Sequence, residues 1–457
     1  MQKFSDVTAL SPALLQAVDV LGYSAMTPIQ AAALPVLTQG MDILAQAKTG
    51  SGKTAAFALA ALTRLQPELS RLQVLVLCPT RELADQVSKE FRALARFIPN
   101  VKVLSLCGGI SIHPQLASLT HEPHIVVGTP GRLLDLLGRD ALKPAHIHTV
   151  ILDEADRMLD MGFLDDVSKI LEQTPASRST WLFSATYPPE IRALSQQFQR
   201  EPASVSVMDA DAPNLIEQRF YKVDMTDKPA AVLRLLLQQQ ADSTLVFCNT
   251  KVDTANLTDF LWKQGVPAIS LHGDLDQRER EETLVQFANG SKRVLVATDV
   301  AARGLDIKAL PLVIAYELPN DSDVHTHRIG RTGRAGEQGL ALTLVGDNET
   351  SRVQRVEAML HQRIEWSALP NAAARKLPAP AMRTLIIDAG RQDKLRPGDI
   401  VGALTGVGGL HADQVGKIDV FATRSYVAVA AAEIDKVIDK LRAGKIKGRN
   451  FRLRKLR

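Results

Sequence analysis

Cysteine is scarce in this sequence of 457 residues: Cys78, Cys107 and Cys248 lie far apart, each in an apolar setting. Such spacing offers neither a disulfide framework nor a zinc-ligand cluster, so no disulfide and no structural metal are expected. Aromatic residues make up only 5%, against 46% hydrophobic overall. Packing must therefore rest on Leu, Val, Ile and Ala, which suits α/β architecture. No run of about 18 apolar residues occurs, and Met1-Gln2-Lys3-Phe4-Ser5-Asp6 lacks the apolar core of a signal peptide. A soluble cytoplasmic chain without a membrane partner is the expectation. Acidic residues are missing from one stretch altogether: residues 442–457 carry eight basic residues and none of the opposite sign. Residues 382–457 hold 16 Lys plus Arg against 8 Asp plus Glu, a net +8, while the remaining 381 residues hold 38 against 42, a net −4. A basic module on a mildly acidic body points to a polyanionic partner at the C-terminal end.

What is present is organised around Ala47-Lys48-Thr49-Gly50-Ser51-Gly52-Lys53-Thr54, set between the apolar run Asp42-Ile43-Leu44-Ala45-Gln46 and a helical run from Ala55 to Leu65. A strand, a glycine-rich turn and a helix start are what a phosphate-cradling loop needs. Gly50 and Gly52 let the backbone curl around phosphate oxygens. Lys53 reaches the outer phosphates, and the Thr54 hydroxyl suits Mg2+. Ala47 departs from the usual opening glycine, so this motif alone leaves room for an incidental glycine-rich turn.

Over the first 205 or so residues, short apolar runs (Val74 to Cys78, Val101 to Leu106, Ile125 to Gly128, Val150 to Asp153, Thr180 to Phe183) alternate with helical patterns such as Leu83 to Phe97. Strands that are apolar throughout imply a parallel sheet covered on both faces, with ligand loops at the carboxyl ends of its strands. Ser206 to Ile216 reads as a linker. The alternation restarts with Leu245 to Cys248, Ala268 to Leu271, Arg293 to Ala297, Leu312 to Tyr316 and Leu340 to Val345, now without a phosphate loop. Residues 368–381, rich in Pro and Ala, read as a semi-extended tether. Beyond it the order is strand (Thr384 to Asp388), helix (Pro397 to Leu404), two strands (Val415 to Val420, Tyr426 to Val429), helix (Ala432 to Ala443) and strand (Asn450 to Leu453). This βαββαβ order is shared by ferredoxin-like and RNA-recognition-motif folds. The domains expected are 1–207, 216–367 and 382–457, with linkers at 208–215 and 368–381.

Val150-Ile151-Leu152-Asp153-Glu154-Ala155-Asp156 places carboxylates directly after a buried strand. In a phosphate-loop protein that is the position of a magnesium-holding Asp, here Asp153, with Glu154 free to orient and deprotonate water. At these residues the sequence resembles the DEAD-box RNA helicases, whose name Asp153 to Asp156 spells. The resemblance covers about the first 366 residues and runs through many motifs in order. In the first half these are Gly22-Tyr23 with Thr27-Pro28-Ile29-Gln30, Pro79-Thr80-Arg81-Glu82-Leu83, Gly108-Gly109, Thr129-Pro130-Gly131-Arg132 and Ser184-Ala185-Thr186. In the second they are Val246-Phe247-Cys248-Asn249, Gln277 with Arg280, Ala297-Thr298-Asp299 and His327-Arg328-Ile329-Gly330-Arg331-Thr332-Gly333-Arg334. An Ala at the position of Ala47 is also usual for this family.

The resemblance implies two tandem RecA-like parallel-sheet domains and an RNA-stimulated ATPase using ATP and Mg2+. It assigns Gln30 to the adenine edge, Tyr23 to stacking on the ring, Phe4 to buttressing that pocket, and Gly304 and Asp306 to the nucleotide, Asp306 near the ribose. Arg331 and Arg334 look like arginine fingers, and His327 would connect their motif to the DEAD and Ser-Ala-Thr segments. RNA contacts fall to Thr80, Arg81, Gly109, Thr129 and Arg132, then to Gln277, Arg280 and Thr298. Contacts of this kind position a strand without reading bases.

The C-terminal segment resembles the bacterial DbpA group in Met382 to Asp388, Arg396-Pro397-Gly398-Asp399-Ile400, Gly416-Lys417-Ile418 and Gly444-Lys445-Ile446-Lys447-Gly448. That likeness implies a small α+β RNA-recognition-like domain specific for 23S ribosomal RNA in pre-ribosomal particles of the large subunit. The usual aromatic signature is reduced to Tyr426, so recognition is expected from Tyr426 with Lys445, Lys447, Arg449, Arg452 and Arg454. A fold-stabilising domain with an ordinary charged surface is the alternative. For the whole chain, expected to be a monomer, two functions stay open: a helicase that locally unwinds short duplexes, or an ATP-gated clamp that organises a ribonucleoprotein.

Overall fold

The computed structural model describes residues 2–47, 50–207, 216–302, 310–333, 338–360, 362–371 and 376–456. The chain divides into two compact units, which among the described residues are 2–207 and 216–456. In the first unit, β1 (Ile43–Ala47), β2 (Val74–Leu77), β3 (Val103–Leu106), β4 (Ile125–Gly128), β5 (Thr149–Leu152), β6 (Ser179–Ser184) and β7 (Ala203–Val207) form a parallel sheet in the order β3-β4-β2-β5-β6-β1-β7. The strands are apolar on both sides because both faces are covered. Val74 and Val76 of β2 enter a core with Phe57, Phe91, Trp181 and Phe183, while Leu75 and Leu77 enter another with Val150, Leu152 and Leu171. The helix Lys53–Thr63 is buried almost all round, as a helix apolar on every face must be.

The expected linker begins later than Ser206. Ala203–Val207 alternates small polar and apolar residues and pairs with β1 along its length. Residues 208–215 lie outside the described residues, and Ile216 already opens a strand.

In the second unit, β8 (Ile216–Lys222), β9 (Thr244–Cys248), β10 (Ala268–Leu271), β11 (Val294–Thr298), β12 (Leu312–Ala315) and β13 (Gly339–Val345) make a second parallel sheet, ordered β10-β11-β9-β12-β13-β8. Edge strand β8 is covered by the following chain: Phe220 bridges to Trp366, and Ser367 N–H donates to the Phe220 carbonyl at 2.8 Å. Leu369 and Leu377 pack against the core of this sheet. The segment expected as a semi-extended tether is thus laid on the body at both of these leucines.

The same unit contains the small domain. Here β14 (Met382–Ile387), β15 (Val415–Val420), β16 (Ser425–Ala430) and β17 (Leu453–Lys455) form an antiparallel sheet in the order β15-β16-β14-β17, with helices Pro397–Thr405 and Ile434–Ala443. The βαββαβ order is therefore present. Its last strand starts at Leu453 instead of Asn450, after a turn in which Ile446 and Arg449 pair. Because side chains alternate across a strand, the sheet has two apolar faces. Leu385, Ile387, Val427 and Val429 pack on the domain's own helices. Ile386 and Tyr426 face Val285 of the helix Gln277–Ala288. Beside them Asn289 Nδ2 donates to Thr384 Oγ1 at 2.9 Å, and Thr384 Oγ1 donates to Ser291 Oγ at 2.8 Å, both bonds buried. Cys78, Cys107 and Cys248 are buried free thiols. Among the described residues no helix is long and apolar enough to cross a membrane.

Candidate nucleotide site and nucleic-acid interface

The phosphate loop follows β1. Lys48 and Thr49 lie outside the described residues, but Gly50 and Gly52 hold φ of 87° and 95°, in the left-handed region that glycine occupies without strain. A Cβ on residue 52 would stand 2.6 Å from Gln30 Nε2. Lys53 opens the following helix, and its buried Nζ donates to the Ala47 carbonyl at 2.8 Å, so the ammonium is held inside the loop. Thr54 is half-buried beside it. The Ser51 hydroxyl is buried without a hydrogen-bond partner. An enclosed orphan oxygen, a trapped cation and left-handed glycines fit a bound phosphate.

Gln30, expected at the adenine edge, here uses both ends of its carboxamide within the protein. Oε1 accepts from Thr27 N–H at 2.8 Å, and Nε2 donates to the Gly52 carbonyl at 3.1 Å. The helix Pro28–Thr38 is thereby tied to the phosphate loop. Phe4 and Tyr23 stack at 6.3 Å with 28° between their planes.

At the end of β5, Asp153, Glu154 and Asp156 are all buried. Burial pushes the Asp153 carboxyl up to about 7, against the pull of Lys53 and with Glu154 adding to the rise. A carboxylate so poorly solvated suits a divalent cation, and Asp153 with Thr54 would hold it. Glu154 carries φ 53° and ψ 55°, a left-handed conformation that costs a non-glycine residue about 1–3 kcal/mol and concentrates at functional sites. The role of Asp156 was not legible in the sequence beyond its place as the fourth residue of the tetrad. Its Oδ2 accepts from Ala185 N–H (3.1 Å), Thr186 N–H (3.0 Å) and Thr186 Oγ1 (3.2 Å), while its own N–H donates to Ser184 Oγ at 3.2 Å. The Ser-Ala-Thr segment is therefore fastened to the carboxylate segment within the first unit. Gln46 Nε2 adds a bond to the Ala185 carbonyl at 3.1 Å.

The five RNA-assigned residues of the first unit meet at the carboxyl ends of β2, β3 and β4. Thr80 caps helix Arg81–Leu94, accepting from Leu83 N–H at 3.3 Å. The Arg81 guanidinium lies directly over Gly109, where a Cβ would fall 1.4 Å from its Nη2. Thr129 Oγ1 accepts from Gly108 N–H at 3.2 Å, and Arg132 Nη2 donates to the Ile110 carbonyl at 3.0 Å. In the second unit Arg280 Nη2 donates to the Ala301 carbonyl at 2.6 Å, and Ala301 N–H donates to Thr298 Oγ1 at 3.4 Å, bringing Arg280 and Thr298 together. Gln277 stands one turn before Arg280, bonded to Glu281 at 3.2 Å.

His327 belongs to the helix Ser322–Ile329, and Arg331 is buried just beyond it, its carbonyl accepting from Leu310 N–H at 3.1 Å. Arg334, Gly304 and Asp306 lie outside the described residues. Arg328, given no role by the sequence reading, anchors this helix. Its guanidinium, 1% exposed, makes a bidentate pair with Asp299 at 2.7 Å on both arms, and reaches Asn249 Oδ1 at 2.6 Å and the Glu317 carbonyl at 2.7 Å. Its adjacency to Arg331 within one arginine-rich motif was the only available signal.

Tyr426 departs from its expected role. It is 2% exposed, its hydroxyl donates to Glu282 Oε1 at 3.3 Å, and Phe421 meets it edge-on at 5.5 Å. Burial, with the Glu282 charge, pushes that hydroxyl up to about 12. The sheet face that carries Tyr426 is applied to the helix Gln277–Ala288, so a base has no access to the ring. Lys445, Lys447, Arg449 and Arg452 are exposed, with Lys447 Nζ bonded to the Lys394 carbonyl (2.7 Å) and Asp399 (3.0 Å). Arg454 is half-buried, 3.8 Å from Asp388.

Comparison with known proteins matches the same segments. The DEAD/DEAH box helicase family matches residues 27–194, the helicase conserved C-terminal domain 227–336, and the DbpA RNA binding domain 384–455. The chain is 51% identical over 458 residues to ATP-dependent RNA helicase DbpA of Escherichia coli (strain K12), covering 100% of both. It is 42% identical over 363 residues to ATP-dependent RNA helicase CshA of Limosilactobacillus reuteri, covering 79% of this chain and 73% of that one. Among solved structures it is similar to S. cerevisiae Dbp5 bound to RNA and ADP BeF3, with TM-score 0.73 and 29% identity over 81% of this chain and 96% of that one. Mss116p bound to ssRNA and AMP-PNP also gives TM-score 0.73, at 25% identity over 80% of this chain and 79% of that one. With its phosphate loop, buried DEAD carboxylates and matching C-terminal module, this chain belongs to the DEAD-box ATP-dependent RNA helicases and carries a DbpA RNA-binding domain.

Proposed function

We propose that this helicase hydrolyses ATP with Mg2+ to open short RNA duplexes locally, and that its C-terminal domain directs it to 23S ribosomal RNA during assembly of the large ribosomal subunit. The observation that carries the reading is the shared sheet edge of the first unit. Lys53, Asp153 and Glu154 stand at the ends of β1 and β5, while Arg81, Gly109 and Thr129 stand at the ends of β2 to β4. Glu154 takes the proton of the attacking water. Lys53 neutralises the outer phosphates, and Arg331 and Arg334 supply positive charge to the transferred phosphoryl group, a contribution worth about 10³ to 10⁵ in rate. Bound magnesium, held by Thr54 and Asp153, would withdraw charge from the phosphate oxygens. His327 positions the arginine motif. Phe4, Tyr23, Gln30, Gly304 and Asp306 hold the base and ribose.

The RNA residues offer backbone contacts without base readout, which leaves the core sequence-blind. Base-pair steps cost roughly 1 to 2 kcal/mol each, so one ATP cycle opens a few pairs. Target choice then falls to Lys445, Lys447, Arg449 and Arg452. The name of the E. coli relative and the matching RNA-binding domain support this targeting.

ATPase stimulation across a panel of RNAs tests the reading. Large-subunit rRNA fragments should stimulate most, and replacing Lys445, Arg449 and Arg452 together by Ala should remove that preference. A flat response of the unaltered chain would overturn the targeting. Glu154→Gln should retain ATP binding and lose turnover by about 10²-fold or more; turnover near the original rate would overturn the base assignment.

A further inference from the structure

Helix Arg81–Leu94 carries one contact that neither the phosphate chemistry nor the RNA face uses. Near its end the Glu90 carboxylate accepts a 2.6 Å hydrogen bond from the Tyr23 hydroxyl, across 67 residues of sequence. Phe4 stacks on the same ring. A tyrosine ring has two free torsions, and an aromatic neighbour with a hydroxyl anchor leaves neither free. The bond is partly buried and has an ionised acceptor, the class of hydrogen bond that is short and strong.

We propose that Glu90 is a positioning residue for nucleotide recognition: it holds the Tyr23 ring in the orientation that stacks on adenine and ties that ring to the helix whose start grips RNA. This rests on the reading of Tyr23 as the adenine platform. The helix begins at Thr80 and Arg81 and runs 14 residues, about 20 Å at 1.5 Å per residue. Phe91, next to Glu90, packs on Phe57 of the phosphate-loop helix with centroids 6.2 Å apart. One rigid element thus touches the RNA grip at its start and both the adenine platform and the phosphate-loop helix near its end. Glu90 acts through Tyr23 and touches no phosphate, so its effect belongs to nucleotide affinity and not to the chemical step. Glu90 lies half-buried on the same side of this helix as Leu83, Val87 and Phe91, which enter the core, so stability is measured beside affinity in every variant.

The test uses the full chain, titrated with N-methylanthraniloyl-ADP and assayed for RNA-stimulated ATPase. Glu90→Ala should weaken nucleotide binding and raise KM for ATP about tenfold or more, as expected for one charge-assisted hydrogen bond, with kcat at saturating ATP preserved. Glu90→Gln, whose amide oxygen still accepts, should recover most of the loss. Tyr23→Phe should reproduce it, and the Tyr23→Phe, Glu90→Ala pair should lose no more than either alone. Unchanged nucleotide affinity in Glu90→Ala alongside a lowered Tm overturns the proposal, because the bond then serves stability alone. Tyr23→Ala separates the two readings. If it leaves affinity intact, the adenine assignment fails; if it weakens affinity while Glu90→Ala does not, the positioning role alone fails.

Discussion

Burial rewrites the chemistry of single residues in this molecule, and His325 is the clearest case. It is fully buried, stacked on Phe220 at 5.9 Å with Nε2 3.1 Å from Gln218 Oε1. Loss of solvent, reinforced by the Arg328 charge, lowers it from 6.5 to about 4. A histidine neutral in the fold and protonated in the unfolded chain stabilises fully above pH 6.5, and that stability drains away as pH falls toward 4, by up to about 3 kcal/mol. Denaturant unfolding at pH 7 and pH 4.5 should therefore show a steeper acid loss for the unaltered protein than for His325→Gln. Equal losses would mean the imidazole is not what titrates. Nothing in the local sequence marks His325 as different from His327, because desolvation is set by Phe220, which lies over a hundred positions earlier. Asp156 and Arg328 teach the same lesson. Each stood inside a recognised motif, yet the backbone N–H groups and carboxylate that define their work arrive from residues just past the ends of other strands.

Elements were largely legible, with boundaries moving where a strand or helix is completed by a partner. Apolar runs located β2 and β4 almost to the residue, since strands buried on both faces need no pattern except hydrophobicity. β7 was hidden because Ser204 and Ser206 break its apolar character, and only pairing with β1 makes it a strand. The helix Gln277–Ala288 has two uses: its start presents Gln277 and Arg280, and its later part receives the small sheet through Val285, with Asn289 and Ser291 following. Thr384→Val removes the hydroxyl that both Asn289 and Ser291 use, leaving buried polar groups unpaired. A loss of about 1–3 kcal/mol is expected, read by denaturant unfolding, with faster amide exchange over residues 282–291. Unaltered exchange there would show that the contact does not hold the two elements together. The retained tyrosine of the small sheet looked like a base platform because sequence records the residue type but not the neighbour covering it.

For the whole molecule, charge asymmetry makes the measurable prediction. The net +8 of residues 382–457 against −4 elsewhere concentrates the attraction for RNA in one domain. Each phosphate contact removed lowers the salt dependence of binding by about 0.7 for a single strand. Replacing Lys445, Arg449 and Arg452 by Ala should thus lower the slope of log affinity against log salt by about 2 on an rRNA fragment, and an unchanged slope would place the contacts elsewhere. The sequence by itself determined the family, the α/β class and the three sheets in their order along the chain, and it nominated residues for the ATP and RNA chemistry. All of these depend on local pattern or on short motifs whose geometry is built by a strand, a glycine turn and a helix start. Only the tertiary structure decided that Tyr426 is buried, that Asp156 fastens the Ser-Ala-Thr segment, that Glu90 holds Tyr23, and that the small sheet shares a compact unit with the second parallel sheet. Those outcomes are contacts between residues far apart in sequence, and burial is a property of the pair in contact that neither residue carries alone.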